Sequence, residues 1–423
     1  MKRIAPFIAA LILSACSGTT MPKNEFDKKA MDSLLSQAVS SGDVIGVSAL
    51  VHDEGETVYT GAFGLRDREH NKPVQHDTVW RIYSMTKPIT SVIIMDLQEE
   101  GKLSLQDPVS KYIPEIANMQ VASLGEDGKP KFTPQHRPMT LEDLMLHRAG
   151  LGYGIFGDIN PVEALYEKAG LFTPTESLDV KMQKLSQLPL IGQPGAAWYY
   201  SYSIDVLGRI AEIVTEQSLS EIMQERIFDP LSMDDTGFYV KPELHDRFVT
   251  NYVLKKDGTY ERIRGDANTS LFNTNAYLTQ NAFEAGGGGL VSTLDDYAKF
   301  AQMMLDGGIY KGYRVLDEII VDDMMSDHMG DNPTFLFPWL GGDTHKSFGY
   351  GGSVVIKETP EQMASLGQGL GQWGWSGAAN TTFWIDRKNK SFGILMLQFF
   401  AEDDPKLQDD FRALTYAQTK NQP

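Results

Sequence analysis

One short stretch of the sequence places a hydroxyl and an amine at a spacing that suits nucleophilic catalysis. Ser84 and Lys87 stand three residues apart in Ser84-Met85-Thr86-Lys87, at the start of a predicted helix. Residues i and i+3 lie on one face of a helix, so the two side chains can meet. A serine hydroxyl needs a neighbouring base, and a lysine serves when burial or a nearby cation lowers its pKa. On spacing alone, an exposed Ser and Lys on a helix surface is the favoured alternative.

An aromatic run supplies a candidate second proton carrier. Tyr200 lies in the segment Trp198–Tyr202, which follows Pro194-Gly195 and leads into a predicted helix. A phenol at such a turn can be held beside the Ser–Lys pair, and it acts as a base only if a cation lowers its pKa. The alternative is a packed aromatic cluster without a chemical role.

A third segment combines glycines with the start of a strand. Gly374-Trp375-Ser376-Gly377-Ala378 precedes an apolar strand, whose edge could present a backbone N–H to a substrate carbonyl. The same letters nearly match the Gly-x-Ser-x-Gly elbow of α/β-hydrolases, with Ser376 as nucleophile. That elbow requires a helix after the serine. Because a strand follows here, Ser376 is not favoured as the nucleophile.

These three elements, in this order, resemble the class C β-lactamase and penicillin-binding-protein superfamily. The resemblance covers roughly residues 38–399 and includes the runs 79–101, 140–151 and 286–300. It implies an α+β fold of the β-lactamase/transpeptidase type, in which an antiparallel sheet flanked by helices is joined to a helical lobe.

The resemblance also implies roles for individual residues. Ser84 would be the acylated nucleophile, Lys87 its proton partner, and Tyr200 the general base and leaving-group acid. The oxyanion hole would consist of the backbone N–H groups of Ser84 and Ala378. Removing one such donor typically lowers turnover by about 10²–10³.

Two departures from the family pattern bear on the substrate, and both fall on predicted substrate-binding residues. Tyr202 replaces the usual Asn of the second motif, and Trp375-Ser376-Gly377 replaces the Lys-Thr/Ser-Gly box. An indole has one N–H donor and no charge, so it cannot pair with a carboxylate as that Lys does. A Trp in this box resembles the carboxylesterase branch, often called family VIII esterases.

The prediction is therefore a serine hydrolase that acts on a small-molecule ester or lactam, most simply an esterase, with transesterification to an alcohol also open. The enzymatic alternative is a β-lactamase or D-Ala-D-Ala carboxypeptidase. The non-enzymatic alternative is a cell-wall-binding lipoprotein on a decayed scaffold.

The N-terminus reads as a targeting segment. Met1-Lys2-Arg3 is basic, residues 4–13 are apolar, and small residues lead to Cys16, the only cysteine. This resembles the lipobox of bacterial lipoproteins, with 1–15 as signal peptide, lipidated Cys16, and 16–25 as tether. By resemblance to enterobacterial sorting rules, Ser17 after the cysteine favours the periplasmic face of the outer membrane, within the bacterial cell envelope. The alternative is an ordinary signal peptide with a chance Cys.

The composition argues against several classes of partner and cofactor. The formal net charge is −18, which repels phosphate backbones and argues against a nucleic-acid partner. The 8 His residues have no metal-ligand spacing, so neither a metal nor another cofactor is predicted. A single Cys excludes intramolecular disulfides.

The helices and strands that must position these residues have a similar order at the two ends of the chain, with a helical region between them. A helix with apolar stripe 31–39, a hairpin over 47–63 and a buried helix over 82–101 come first. A helical region follows, with helices predicted over 141–147, 204–216 and 219–228. After it come a helix over 294–305, a second hairpin over 381–399 and a terminal helix over 404–420. This order predicts a discontinuous sheet domain, 26–110 with 286–423, and a mainly helical domain, 111–285. At the start of the second sheet segment, the run Gly286–Gly289 permits close backbone approach.

Overall fold

The structure, a computed structural model, describes most of the chain. The described residues are 25–124, 130–155, 162–264, 276–330, 345–401 and 405–419. The predicted signal peptide and Cys16 lie outside these residues. Within them, no helix is both long and apolar enough to cross a bilayer.

Twelve α-helices and seventeen short or long strands are formed by the described residues. The helices are α1 (Lys28–Ser40), α2 (Thr86–Glu99), α3 (Leu141–Met145), α4 (Glu163–Ala169), α5 (Leu178–Leu185), α6 (Ser203–Thr215), α7 (Leu219–Met223), α8 (Asp229–Leu231), α9 (Leu294–Leu305), α10 (Glu318–Met324), α11 (Pro360–Leu366) and α12 (Lys406–Thr419). The strands are β1 (Gly46–Asp53), β2 (Glu56–Asp67), β3 (Lys72–Pro73), β4 (Trp80–Arg81), β5 (Val121–Leu124), β6 (Pro130–Thr133), β7 (Tyr252–Leu254), β8 (Tyr260–Arg262), β9 (Val291–Ser292), β10 (Ile309–Tyr310), β11 (Tyr313–Arg314), β12 (Lys346–Phe348), β13 (Ser353–Val355), β14 (Trp373–Ser376), β15 (Thr382–Asp386), β16 (Ser391–Met396) and β17 (Phe399–Phe400).

An eight-stranded antiparallel sheet joins the two ends of the chain. Its strand order is β12-β13-β14-β15-β16-β1-β2-β3, so the N-terminal hairpin pairs with the C-terminal one at β1 and β16. Leu50 lies opposite Ile394 in that pairing. Glu54 and Gly55 turn the first hairpin with positive φ angles of 49° and 92°, as a tight hairpin turn requires. The fold is the predicted β-lactamase/transpeptidase-like α+β arrangement.

Both faces of the sheet are covered, which explains why β1 is buried along its whole length. Val47, Ala49 and Val51 point to one face and pack with residues of α1 and α12. Leu50 points to the other face and belongs to the larger core that includes α2 and α9. The alternation follows from the two-residue period of a strand.

The described residues between β4 and β9 contribute no strand to the large sheet. This segment carries α2 to α8, the small sheet of β5 and β6, and the strands β7 and β8, which form a second small sheet with β17. Within it, α6 packs against α2. The buried helix α2 therefore contacts the sheet side and the helical side at once. The proposed division into two domains at 110/111 and 285/286 stays a prediction.

Candidate active site

Ser84 lies in a strained turn that leads directly into α2. The turn is a 3₁₀ segment, Tyr83–Met85, and Tyr83 adopts φ 41°, in the left-handed region that side-chain-bearing residues rarely occupy. The Tyr83 hydroxyl accepts a hydrogen bond from Asn251 Nδ2 at 2.8 Å, which holds the turn. Tyr83 and Met85 are buried, whereas Ser84 between them is partly exposed. The turn thus presents one hydroxyl at a helix N-terminus, where backbone N–H groups favour negative charge.

Lys87 is fully buried and its amine reaches the nucleophile. Its Nζ lies 3.2 Å from Ser84 Oγ, 3.1 Å from the Tyr153 hydroxyl and 2.5 Å from the Gly287 carbonyl oxygen. Three acceptors match the three N–H groups of an ammonium. Burial lowers the pKa of Lys87 to about 7, against the opposing effect of the Asp205 carboxylate. The amine can therefore lose a proton near neutral pH and then accept one from Ser84.

Tyr200 sits on the other side of Ser84. The two hydroxyls are hydrogen-bonded, and Trp375 Nε1 donates to the Tyr200 hydroxyl at 3.2 Å. Lys87 Nζ lies 4.5 Å from the centre of the Tyr200 ring. Burial raises the pKa of Tyr200, and the bonds from Ser84 and Trp375 only partly oppose that rise. The phenol is therefore protonated at neutral pH, which suits a proton donor and leaves the base role to Lys87.

The third motif reaches the site through β14 and the turn after it. A Cβ on Gly377 would overlap the Ile82 carbonyl, so only glycine lets this turn pack beside the turn that carries Ser84. Ala378 is exposed, and among the described residues its N–H has no acceptor. That N–H is free for the predicted oxyanion hole. Ser376 is exposed and its hydroxyl donates to Thr382 Oγ1 at 2.9 Å.

The predicted substrate contact at Tyr202 needs correction, because the structure places this side chain in the interior. Tyr202 is completely buried and its hydroxyl donates to the Leu171 carbonyl at 3.0 Å. Its ring packs edge-on against Phe172 and Tyr153. The phenol turns away from the substrate side into the helical region, so its function is packing.

Sequence reasoning missed several neighbours of the site. Tyr153 and Gly287 bind Lys87, Asp205 binds the backbone of Gly287, and the ring of Phe348 lies 5.3 Å from that of Trp375. Asp205 had a local signal, since it is a carboxylate within the otherwise apolar start of a helix. Gly287 lies in the run Gly286–Gly289, for which close backbone approach was predicted, and Phe348 lies in a segment, 330–358, that is rich in Gly and aromatic residues. For Tyr153 the local sequence carried no comparable signal.

His147 packs beside Tyr200 in the interior. Its ring is buried, and Nδ1 accepts a hydrogen bond from the Ser201 backbone N–H at 3.3 Å. Burial, with a smaller effect of Lys87, holds the pKa of His147 well below its usual value. A neutral ring packed 4.8 Å from that of Tyr200 supports the site without titrating. In the described ranges, no cluster of three or more potential metal ligands occurs.

The fold and the site together point to a class: an active-site serine enzyme in which a buried lysine lies beside the serine. The family model named Beta-lactamase matches residues 31–417. An uncharacterized protein of Mycobacterium tuberculosis is 33% identical over 382 residues, which cover 89% of this chain and 90% of that protein. The chain therefore belongs to the beta-lactamase family and is a serine hydrolase.

Two further relatives have named activities. Esterase EstB of Burkholderia gladioli is 27% identical over 84% of this chain and 86% of its own. The solved structure of EstCE1, described as a hydrolase with promiscuous acyltransferase activity, superimposes with a TM-score of 0.78. It is 25% identical, and the match covers 92% of this chain and 98% of EstCE1.

Proposed function

We propose that this protein is a carboxylesterase that works through an acyl-enzyme on Ser84. The observation that carries the proposal is the hydrogen bond from Trp375 Nε1 to the Tyr200 hydroxyl. β-Lactam-binding relatives carry a Lys in this box, which pairs with the substrate carboxylate. Here the same position supplies a neutral donor that is already engaged with the catalytic phenol, so a neutral ester suits the site better than a carboxylated lactam.

Acylation follows from the distances around Ser84. Ser84 Oγ bonds to the ester carbonyl carbon as its proton passes to Lys87 Nζ, 3.2 Å away. The N–H groups of Ser84 and Ala378 stabilise the oxyanion. When the bond to the alcohol breaks, the leaving oxygen takes the proton of the Tyr200 phenol, and Lys87 returns a proton to Tyr200.

Deacylation reverses these steps with a new nucleophile. Water gives a proton to the same Lys87–Tyr200 pair as its oxygen bonds to the acyl carbon. The bond from that carbon to Ser84 Oγ then breaks, the pair returns the proton to Ser84 Oγ, and the acid leaves. An alcohol in the place of water would give a new ester, so acyl transfer needs no additional group. The activity stated for EstCE1 supports including this second outcome in the proposal.

The walls of the site favour an apolar acyl or alcohol group. The rings that contact Tyr200 and Trp375 belong to Tyr153, Trp198 and Phe348, together with the neutral His147. Aromatic walls gain from burying apolar surface, at roughly 25 cal/mol per Å². They offer no cation to a substrate carboxylate.

The proposal is tested by comparing two substrate classes on the purified protein. p-Nitrophenyl esters of increasing acyl length should be turned over faster than nitrocefin, and Ser84→Ala should abolish both activities while leaving the circular dichroism spectrum unchanged. A fluorophosphonate probe should label Ser84 in the wild type. Faster turnover of nitrocefin would favour the β-lactamase alternative, and absence of labelling would favour a decayed scaffold.

We also propose that the protein is lipid-anchored through Cys16 in a bacterial cell envelope, at the periplasmic face of the outer membrane. The support is the basic start, the apolar run 4–13 and the single cysteine. Several acyl chains on one residue are enough for stable anchoring. Cys16→Ser should move the protein from the membrane fraction to the soluble one, and unchanged fractionation would contradict lipidation.

A further inference from the structure

The catalytic amine is connected to a second buried charge through the backbone of the glycine run. Asp205 Oδ1 accepts the Gly287 N–H at 3.0 Å, and the Gly287 carbonyl accepts from Lys87 Nζ at 2.5 Å. The N–H and the carbonyl flank a single Cα atom. By holding the Gly287 N–H, the Asp205 carboxylate therefore also fixes the Gly287 carbonyl, which accepts the hydrogen bond from Lys87.

Close packing keeps this connection in place. A Cβ on Gly287 would overlap Asp205 Oδ2, so only glycine allows the contact. The preceding carbonyl, of Gly286, accepts a hydrogen bond from Thr90 Oγ1 at 2.6 Å. The glycine run is thus held between α2, which carries Lys87 and Thr90, and α6, which carries Asp205.

The burial of Asp205 is expensive and calls for an explanation. Its exposed fraction is 1%, and among the described residues its Oδ2 has no hydrogen-bond partner. Burying a carboxylate without full pairing is strongly unfavourable. Burial raises the pKa of Asp205, whereas the positive charges of Lys87 and Lys181 and the Gly287 N–H lower it. The two lysines are thus the cations that compensate this carboxylate.

We propose that Asp205 is a positioning residue that, through Gly287, holds the Lys87 amine at Ser84 and sets the pH at which that amine takes the serine proton. The inference rests on the proposed function, because it assigns a role within acylation at Ser84.

In the part of the chain that the structure describes, the other titratable groups around Lys87 do not supply a negative charge. Burial raises the pKa of Tyr153 and Tyr200, so both phenols are neutral. Burial lowers the pKa of His147, so that ring is neutral too. Burial lowers the pKa of Lys181, beyond Asp205, to about 8, so this lysine is a cation at neutral pH. Its Nζ donates to the Thr173 carbonyl at 2.7 Å and lies 3.7 Å from Glu176 Oε2. Asp205 is therefore the group that favours the protonated form of Lys87, against the effect of burial.

The test is the pH dependence of Ser84 labelling by a fluorophosphonate, measured with kcat/KM for a p-nitrophenyl ester. Asp205→Asn keeps the size and an acceptor for the Gly287 N–H but removes the charge. The acid limb of both profiles should move to lower pH by about one unit or more, since loss of an opposite charge shifts a pKa by roughly 1–3. Asp205→Glu, which keeps the charge, should shift the limb less.

The outcomes separate the two proposals. An unlabelled wild type would overturn the function and this inference together. A labelled wild type whose acid limb stays in place in Asp205→Asn would overturn the inference alone. If the Asn variant does not fold, Asp205→Ser gives a second neutral side chain for the same measurement, and an unmoved limb there is equally decisive. A purely structural role would lower the labelling rate at every pH without displacing the profile.

Discussion

The hydroxyl of Ser84 has two neighbours that could exchange a proton with it, Lys87 and Tyr200, and their pKa values are shifted in opposite directions. Burial acts on both groups, but it destabilises an ammonium in one case and a phenolate in the other. Lys87 therefore becomes a better base than a free lysine would be at neutral pH, whereas Tyr200 becomes a weaker acid and keeps its proton. In the proposed mechanism, this divergence of the two pKa values assigns Lys87 as the base and Tyr200 as the acid.

The pH profile follows from the Lys87 amine. The free amine is the reactive form, and its pKa is lowered to about 7. We expect kcat/KM for a neutral ester to rise with pH and level off above about 7, and to fall roughly tenfold per unit below it. Because kcat/KM reports the free enzyme, the substrate must itself carry no titratable group. A profile governed only by a group titrating above pH 9 would instead assign the base to Tyr200.

Removing the phenol of Tyr200 tests the acid. Tyr200→Phe keeps the ring stacking and deletes the hydroxyl, so kcat should fall by about 10²–10⁴ while KM changes little. Tyr199→Phe is the matched control, because Tyr199 is also buried but its side chain interacts with Glu163 instead. Steady-state kinetics on p-nitrophenyl butyrate distinguishes the two. Equal losses in both variants would indicate a packing effect.

Trp375 tests the choice between esters and lactams. Trp375→Lys exchanges the neutral N–H donor for an ammonium, which can pair with a carboxylate and with the Tyr200 oxygen. We expect KM for nitrocefin to fall relative to KM for a neutral ester. Trp375→Phe, which removes the donor without adding charge, should lower the turnover of both substrates. It should leave the ratio of KM for nitrocefin to KM for the neutral ester unchanged. If Trp375→Lys leaves this KM ratio unchanged, Trp375 does not select between lactams and esters.

At the scale of elements, the glycine run joins α2 to α6. Gly287→Ala should lower the unfolding temperature and ester turnover together, because its Cβ meets the carboxylate of Asp205. A forced contact of this kind in a packed interior costs about 1–3 kcal/mol. Gly192→Ala is the control, since a Cβ there meets nothing within 4 Å and its φ is not in the left-handed region. A stable and active Gly287→Ala would contradict the close approach.

Periodicity predicted the elements better than it predicted their ends. The helix over 294–305 was predicted with the bounds observed for α9, because its apolar stripe is clear and Thr293 caps it. The helix predicted over 219–228 stops at Met223 and continues as a π-helical turn, Gln224–Phe228. Pro230 has no N–H for the Arg226 carbonyl, so the regular hydrogen-bond pattern cannot continue.

The same limit applies to the site. Ser84 and Lys87 were predictable because one helical turn brings them together. Tyr200 and Ala378 came from the family resemblance, since no local pattern indicates that residues more than 100 positions away meet Ser84. Tyr202 was misplaced for the same reason. Two positions separate it from Tyr200, yet the start of α6 turns its side chain into the interior.

For the whole molecule, the sheet makes the two ends of the chain dependent on each other. β1 and β2 contribute an N-terminal hairpin, and the five strands β12 to β16 come from residues after 345. The helical region lies between them in sequence and contacts them through α2. The site is assembled where these parts meet, so the groups that make it reactive are buried within the main core rather than on a loop.

Because the site lies in the core, its two buried charged groups lower the free energy of unfolding. Lys87 has a lowered pKa in the folded state, so the unfolded chain binds an additional proton between pH 7 and the ordinary lysine value of 10.5. Stability from this group therefore rises with pH across that window. Asp205 has a raised pKa, so its contribution falls as pH rises from 3.8 through its folded value. Near pH 7, the burial of the Lys87 charge and the burial of the Asp205 charge therefore both lower the free energy of unfolding by close to their largest amounts.

A double-mutant cycle over thermal unfolding at pH 7 measures this cost. Lys87→Met should lower the midpoint, because it leaves the Asp205 carboxylate buried without its main cation; breaking a buried pair typically costs about 3–5 kcal/mol. Lys87→Met with Asp205→Asn should restore or exceed the wild-type midpoint, since replacing a whole buried pair is neutral or stabilising by about 1–4 kcal/mol. Both variants should be inactive on esters. If the two single effects simply add in the double variant, the charges do not compensate each other, and the energetic link between Lys87 and Asp205 is wrong.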